Sequence, residues 1–167
     1  MAGGERDEVR EALDGDRVAV ADEVLDGPRS RVISNLRILG PCRNLNQVEL
    51  AYTDAIALGF EIPLRLSGNI EGTPGCMLMG PAGFFEMTHG VIRAKRHVHM
   101  GPGDAKFYGV KHLDRITLKV TSAYCNTRFD DLIVRVDPSF KLEVHMDTDE
   151  SNACDLERAT KVELIKS

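Results

Sequence analysis

Apolar residues in this chain fall in short runs with polar partners between them, and glycine or proline interrupts almost every run. Val32-Ile33, Leu36–Leu39, Gln47–Leu50 and Ile62–Leu66 open the series, followed by Cys76–Met79, Gly90–Ala94 and His97–Met100. Arg115–Val120, Leu132–Val136, Phe140–Val144 and Lys161–Ile165 complete it. Runs of this length at this spacing predict strands of a barrel or sandwich. Two stretches read instead as short helices, Thr53–Leu58 and Pro102–Phe107, each stopped by a glycine (Gly59, Gly109) suited to the left-handed C′ position. Residues 5–14 form a weaker, highly charged helical stretch, with apolar side chains only at Val9, Ala12 and Leu13.

The pattern repeats. Val48-Glu49-Leu50 is followed by Asp54-Ala55 and Gly59, and 50 residues later Val98-His99-Met100 is followed by Asp104-Ala105 and Gly109. A further 46 residues on, Val144-His145-Met146 is followed by Glu150-Ser151, and the same offset carries Arg115–Leu118 onto Lys161–Leu164. Leu25-Asp26-Gly27-Pro28 is echoed by Leu78-Met79-Gly80-Pro81. Common strand residues agree by chance often enough, but here the offset persists across two elements. The sequence therefore predicts a mainly β protein of two small β-barrel domains with short capping helices. The boundaries fall at 1–21 (a charged N-terminal segment), 22–94 and 95–167.

Composition narrows the function classes. In 167 residues, 43% are hydrophobic and 28% charged, which excludes collagen, coiled coil and wholesale disorder. Twenty-one Lys+Arg against 26 Asp+Glu leave a net charge of −5, so a general nucleic-acid groove is not expected. No apolar run reaches the length of a membrane span, and the charged start predicts neither a secretory leader nor a membrane partner. A cytoplasmic location follows as the expectation. Cys42, Cys76, Cys125 and Cys154 lack CxxC or framework spacing, which predicts reduced and mostly buried thiols.

The central position of the repeat is Glu49, then His99, then His145. All three are metal-ligand types at equivalent places in a strand–turn–helix unit. His97-Val98-His99 is the strongest single motif, because residues two apart in a strand share a face and both imidazoles can reach one ion. A third histidine then completes a three-ligand site with an open position. The alternative is a solvated pair beside Lys95-Arg96; His145 at the matching repeat position weighs against it. Arg43 follows a Gly-Pro turn, where its planar fork suits phosphate or carboxylate, and Ser67-Gly68 could add a hydroxyl or backbone donor. Each of these two signals is weak alone.

The run from His145 to Glu150 lacks the glycine and twelfth-position glutamate of a calcium loop; its acids fit a helix cap and a polarising neighbour for His145. GxSxG, P-loop and GxGxxG patterns are absent, and His89 and His112 fit no repeat position.

Four motifs in order carry a resemblance: Arg37–Arg43, Gln47-Val48-Glu49 with Thr53-Asp54-Ala55, Arg96–Met100, and Leu142–Glu150. From about Val18 to the C-terminus the chain resembles the PduL-type phosphotransacylases, or phosphate propanoyltransferases. The resemblance implies two β-barrel domains with a two-zinc site at their junction. It implies exchange of phosphate and coenzyme A on a short acyl group in propanediol utilization.

By position, His97, His99 and His145 resemble the three ligands of one zinc, and Glu49 a ligand of the zinc that meets the CoA sulfur. Arg43 resembles the catalytic, phosphate-contacting arginine, and Ser67 a serine of the same pocket. The family also carries an HxH pair on an earlier strand, whereas this chain has no histidine before His89. One complete zinc site is therefore expected here, in a shortened or divergent member. The partners implied are CoA and an acyl phosphate or phosphate, with homo-oligomers or association with a bacterial microcompartment lumen as further implications. A non-catalytic zinc- or CoA-binding homologue is the alternative, and a generic cupin-like metal barrel stands third.

Overall fold

The computed structural model describes residues 24–26, 31–34, 36–39, 44–81 and 83–166. The charged segment 1–21, with its helical stretch, and Arg43 lie outside the described residues. The chain divides into two compact units, Met1–Arg93 and Ala94–Ser167. The mainly β class with short helices is as the pattern predicts.

In the first unit the strands are β1 (Val24–Asp26), β2 (Val32–Ser34), β3 (Val48–Glu49), β4 (Leu64–Arg65), β5 (Cys76–Gly80), β6 (Gly83–Met87) and β7 (Val91–Ala94), with helix α1 (Tyr52–Leu58) after β3. They form a four-stranded sheet ordered β2-β1-β5-β6 and a three-stranded sheet ordered β3-β7-β4. Leu25 pairs with Leu78 across β1 and β5, the two segments whose sequences echo each other. Leu50, Ala55, Leu58, Phe60, Ile62 and Val91 are buried in one cluster that fixes α1 against the strands.

Two strands differ from expectation. Leu36–Leu39 has no ladder beyond a single bridge at Leu39, which is 68% exposed. The β6 strand was not signalled, because the adjacent Phe84 and Phe85 break the period-two alternation and both are exposed.

In the second unit the elements are β8 (His97–Met100), α2 (Pro102–Tyr108), β9 (Arg115–Ser122), β10 (Thr127–Val136), β11 (Glu143–His145), α3 (Thr148–Ala153) and β12 (Ala159–Lys166), with a 3-10 turn at Leu156–Arg158. One sheet holds all five strands in the order β11-β8-β10-β9-β12. Val98, Val120, Leu118, Leu132 and Val134 are at most 1% exposed on its inner face. Each such side chain contributes roughly 1.5–3 kcal/mol on leaving water. The alternation that hides them turns His97, His99, Arg135 and His145 to the other face.

The repeat survives in three dimensions: β3–α1, β8–α2 and β11–α3 are each a strand followed directly by a helix of six or seven residues. The glycine stops match closely. Gly59 (φ 87°) and Gly109 (φ 63°) are left-handed, and the next residues, Phe60 and Val110, donate N–H to Ala55 and Ala105 at 2.8 and 3.0 Å. A side chain at either glycine would strain that turn. The third copy ends differently: Cys154 has φ −104°, and the left-handed position falls one residue later, on Asp155 (φ 48°) rather than on a glycine.

Candidate functional site

Sheet register brings the three histidines together. Across the antiparallel β8–β11 pairing, His97 is the Cα partner of His145 and His99 that of Glu143. The His97 and His145 rings stack at 4.7 Å with an interplanar angle of 1°, and His99 tilts against both at 5.0 and 4.2 Å. Phe140 lies flat on the far side of His99, with centroids 3.9 Å apart. Phe140 lies outside the strand predicted for it, its N–H bonded to the Asp137 carbonyl at 3.1 Å, and β11 begins at Glu143.

Side-chain nitrogens of the three residues lie within 4.8 Å of one another, a cluster able to hold a metal ion. The protonation states suit that use. His97 Nδ1 lies 2.9 Å from the Lys95 carbonyl, which can only accept. That nitrogen therefore carries the proton and leaves the Nε2 lone pair available. Burial lowers the His97 pKa, and the Arg135 cation lowers it further against the raising effect of the Lys95 contact. Burial, then His97, His99 and Arg135, bring His145 down to about 3. Neutral imidazoles at physiological pH are ligands, not cations.

His145 Nε2 is buried and makes no hydrogen bond, although the outer part of its ring is solvent-exposed. Its carboxylate neighbour Glu143 Oε2 is 3.6 Å away, beyond hydrogen-bond reach. A buried donor or acceptor left without a partner is costly, and a bound cation would relieve it. The residues present therefore fit a metal ion.

A clamp holds the two histidine-bearing segments in register. Arg96, one residue before His97, donates to Glu150 Oε1 at 2.9 Å and twice to the Asp130 carbonyl, at 3.1 and 2.9 Å. The β-bulge at Phe129/Leu132, with Asp131 at φ 64°, shapes the strand around that carbonyl. Glu150 in turn closes the capping box of α3: Asp147 N–H donates to Glu150 Oε2 and Glu150 N–H donates to Asp147 Oδ1. Since α3 follows β11 directly, this chain of bonds ties the start of β8 to the end of β11. The Asp147-x-x-Glu150 spacing signals the cap, but nothing local signals its link to Arg96.

In the first unit, Glu49 sits at the end of β3 and is exposed. Gln47 Nε2 donates to Glu49 Oε1 at 2.7 Å and to Ser67 Oγ at 2.9 Å, and Gly68 N–H donates to Gln47 Oε1 at 2.7 Å. The Gly68 donor fixes which end of the Gln47 amide is oxygen. The structure thus places Glu49 and Ser67 in one cluster around Gln47, a residue quoted only as part of a motif in the sequence reading. Close backbone approach supports it: a Cβ on Gly90 (φ 122°) would lie 2.7 Å from the Asn46 carbonyl.

The remaining candidates are quiet. His89 and His112 are exposed, and His112 Nδ1 accepts the Val136 N–H at 3.1 Å. Cys76, Cys125 and Cys154 are free thiols; burial pushes Cys76 up to about 11, well away from thiolate chemistry.

A strand-borne histidine cluster with room for a metal defines the class of site, and sequence comparison supplies the family. The profile of the phosphate propanoyltransferase family matches residues 7–157, and the chain belongs to that family. It is 54% identical over 153 residues to a phosphate propanoyltransferase of Planctopirus limnophila, covering 92% of this chain and 63% of that protein. The like-named protein of Thermotoga maritima is 46% identical over 140 residues, covering 84% and 66%. That of Salmonella arizonae is 45% identical over 129 residues, covering 77% and 61%. The chain thus spans a little under two thirds of the length of these curated relatives.

Proposed function

We propose that the chain carries the chemistry of a phosphate acyltransferase. It would exchange CoA and phosphate on a short acyl group: propanoyl-CoA and phosphate against propanoyl phosphate and CoA. The observation that carries the reading is the three-histidine cluster in a member of this family, at the positions that the motif Arg96–Met100 and the motif Leu142–Glu150 single out. In this reading His97, His99 and His145 form the one complete zinc site, and Glu49 is a single ligand toward a second zinc that the chain does not hold tightly. A bound zinc would supply Lewis-acid stabilisation of thiolate and phosphate charge.

The chain's own residues have definable tasks. Lys95 O fixes the His97 tautomer, and the Arg96–Glu150 clamp orients β8 against β11. Because Ser67 Oγ accepts from Gln47, its own proton is available to donate to an anion. Arg43 would offset phosphate charge. In the thioester-forming direction the CoA sulfur attacks the acyl carbonyl carbon. The new C–S bond replaces the C–O bond to phosphate, and phosphate leaves with that electron pair and takes up the proton that the thiol gives up. The two-domain division at 22–94 and 95–167, the barrel form of each domain and a cytoplasmic or microcompartment location belong to the same reading. Among the described residues no helix is long and apolar enough to cross a membrane.

Thioester formation from propanoyl phosphate and CoA, measured together with bound zinc, tests the reading. Activity and zinc are both expected to fall by about 100-fold or more in His145→Ala. Turnover unaffected by that substitution would overturn the reading. Zinc retained by the unaltered chain with no turnover would favour the non-catalytic homologue.

A further inference from the structure

Arg135 stands on the histidine face of the second unit's sheet. It is the Cα partner of His99 across the parallel β8–β10 pairing, while its neighbour Val134 is fully buried on the opposite face. Glu143, His99 and Arg135 thus form one row across three adjacent strands. The arginine is half-buried and, among the described residues, makes no hydrogen bond, ion pair or ring stack. Arg96, Arg115, Arg128 and Arg158 of the same unit all pair with carboxylates. Glu143, at the other end of the row, is two strands away, about 9–10 Å by strand spacing. The imidazoles between them offer no counter-charge, and the Arg135 charge reaches both His97 and His145.

A guanidinium taken partly out of water without a partner is costly, and beside a cation site the cost grows. Its fork matches two oxygens of a tetrahedral oxyanion. We propose that Arg135 is a phosphate-contacting residue of the three-histidine site, donating to the oxygens of a phosphate group that lies against His97, His99 and His145. Metal and anion then complete each other: the anion offsets much of the charge of Arg135 and the ion together. The proposal rests on the acyltransferase reading for the source of the phosphate, which is either the free or acyl-linked phosphate or the 3′-phosphate of CoA. The shared chemistry is a phosphate oxyanion.

Calorimetric titration of inorganic phosphate, and separately of adenosine 3′,5′-bisphosphate, into the full chain with and without zinc tests it. Arg135→Gln is expected to weaken binding of one of these ligands by about 10-fold or more, and Arg135→Lys by less, because lysine keeps the charge but not the fork. Loss confined to inorganic phosphate assigns the residue to the transferred phosphate; loss confined to the bisphosphate assigns it to CoA. Zinc affinity is expected to stay level or tighten in Arg135→Gln, since a cation has been removed from beside a cation, and the melting temperature is expected to hold. A merely structural arginine would instead lower melting temperature and zinc affinity together in both variants, which would overturn the proposal. So would unaltered phosphate binding in Arg135→Gln, or binding of neither ligand by the unaltered chain. If zinc fails to bind while phosphate binds through Arg135, the metal reading falls and this proposal stands.

Discussion

The His97–His99–His145 cluster and the Glu49–Gln47–Ser67 cluster grow from copies of one strand–helix repeat, yet they are built differently. The histidines stand on β8 and the edge strand β11 of a five-stranded sheet whose opposite face carries the buried Val98, Leu118, Val120, Leu132 and Val134. Glu49 stands on a two-residue strand of a three-stranded sheet and is exposed. In the first case cross-strand register sets the positions of the histidines, with the core on the other face of the sheet. In the second the Gln47 side chain links the cluster through two donated bonds and one accepted. The same sequence position thus lies in a five-stranded sheet in one unit and in a short three-stranded one in the other.

The comparison can be broken from its strongest side first. Leu132→Ala, at a fully buried position behind the histidine face, is expected to cost about 2–5 kcal/mol of unfolding free energy by denaturant titration, with metal affinity falling alongside. A loss well under 1 kcal/mol would mean that the core does not brace the cluster. Glu150→Gln weakens the clamp between Arg96 and α3, an interaction with charged partners, and about 1–3 kcal/mol is expected from the same titration.

Acid sharpens the contrast. His97 and His145 have lowered pKa values when folded, so between their unfolded value of 6.5 and the folded value of about 3 for His145 the unfolded chain binds more protons. Stability of the metal-free chain therefore falls as pH drops through that window and rises again toward neutrality. Melting temperatures recorded from pH 7 down to 4 check this, and His145→Gln is expected to flatten the slope. The smallest effect belongs to the first unit. Gln47→Ala is expected to cost about 1 kcal/mol in stability and to leave metal affinity at the histidine cluster unchanged.

What could be read beforehand follows the same division. The two helices with glycine stops and the β8 strand were legible because each is local: a period and a terminator within ten residues. The HxH pair was legible as a shared face, and His145 joined it through the repeat. Arg135 was not, since its neighbour His99 is 36 residues away and only the parallel β8–β10 register brings them side by side. Arg96 and Glu150, 54 residues apart, were hidden for the same reason. Phe140 shows the reverse failure: its apolar pattern extends a strand, but its N–H closes a turn on the Asp137 carbonyl at 3.1 Å and β11 starts only at Glu143. Gln47 escaped notice because a glutamine in a short strand carries no chemistry of its own until its neighbours are known.

Zinc titration of the chain beside His145→Ala and Glu49→Ala tests the central claim most directly. The account predicts one tightly held zinc in the unaltered chain, retained in Glu49→Ala and lost in His145→Ala. Zinc that survives His145→Ala but disappears with Glu49→Ala would contradict it.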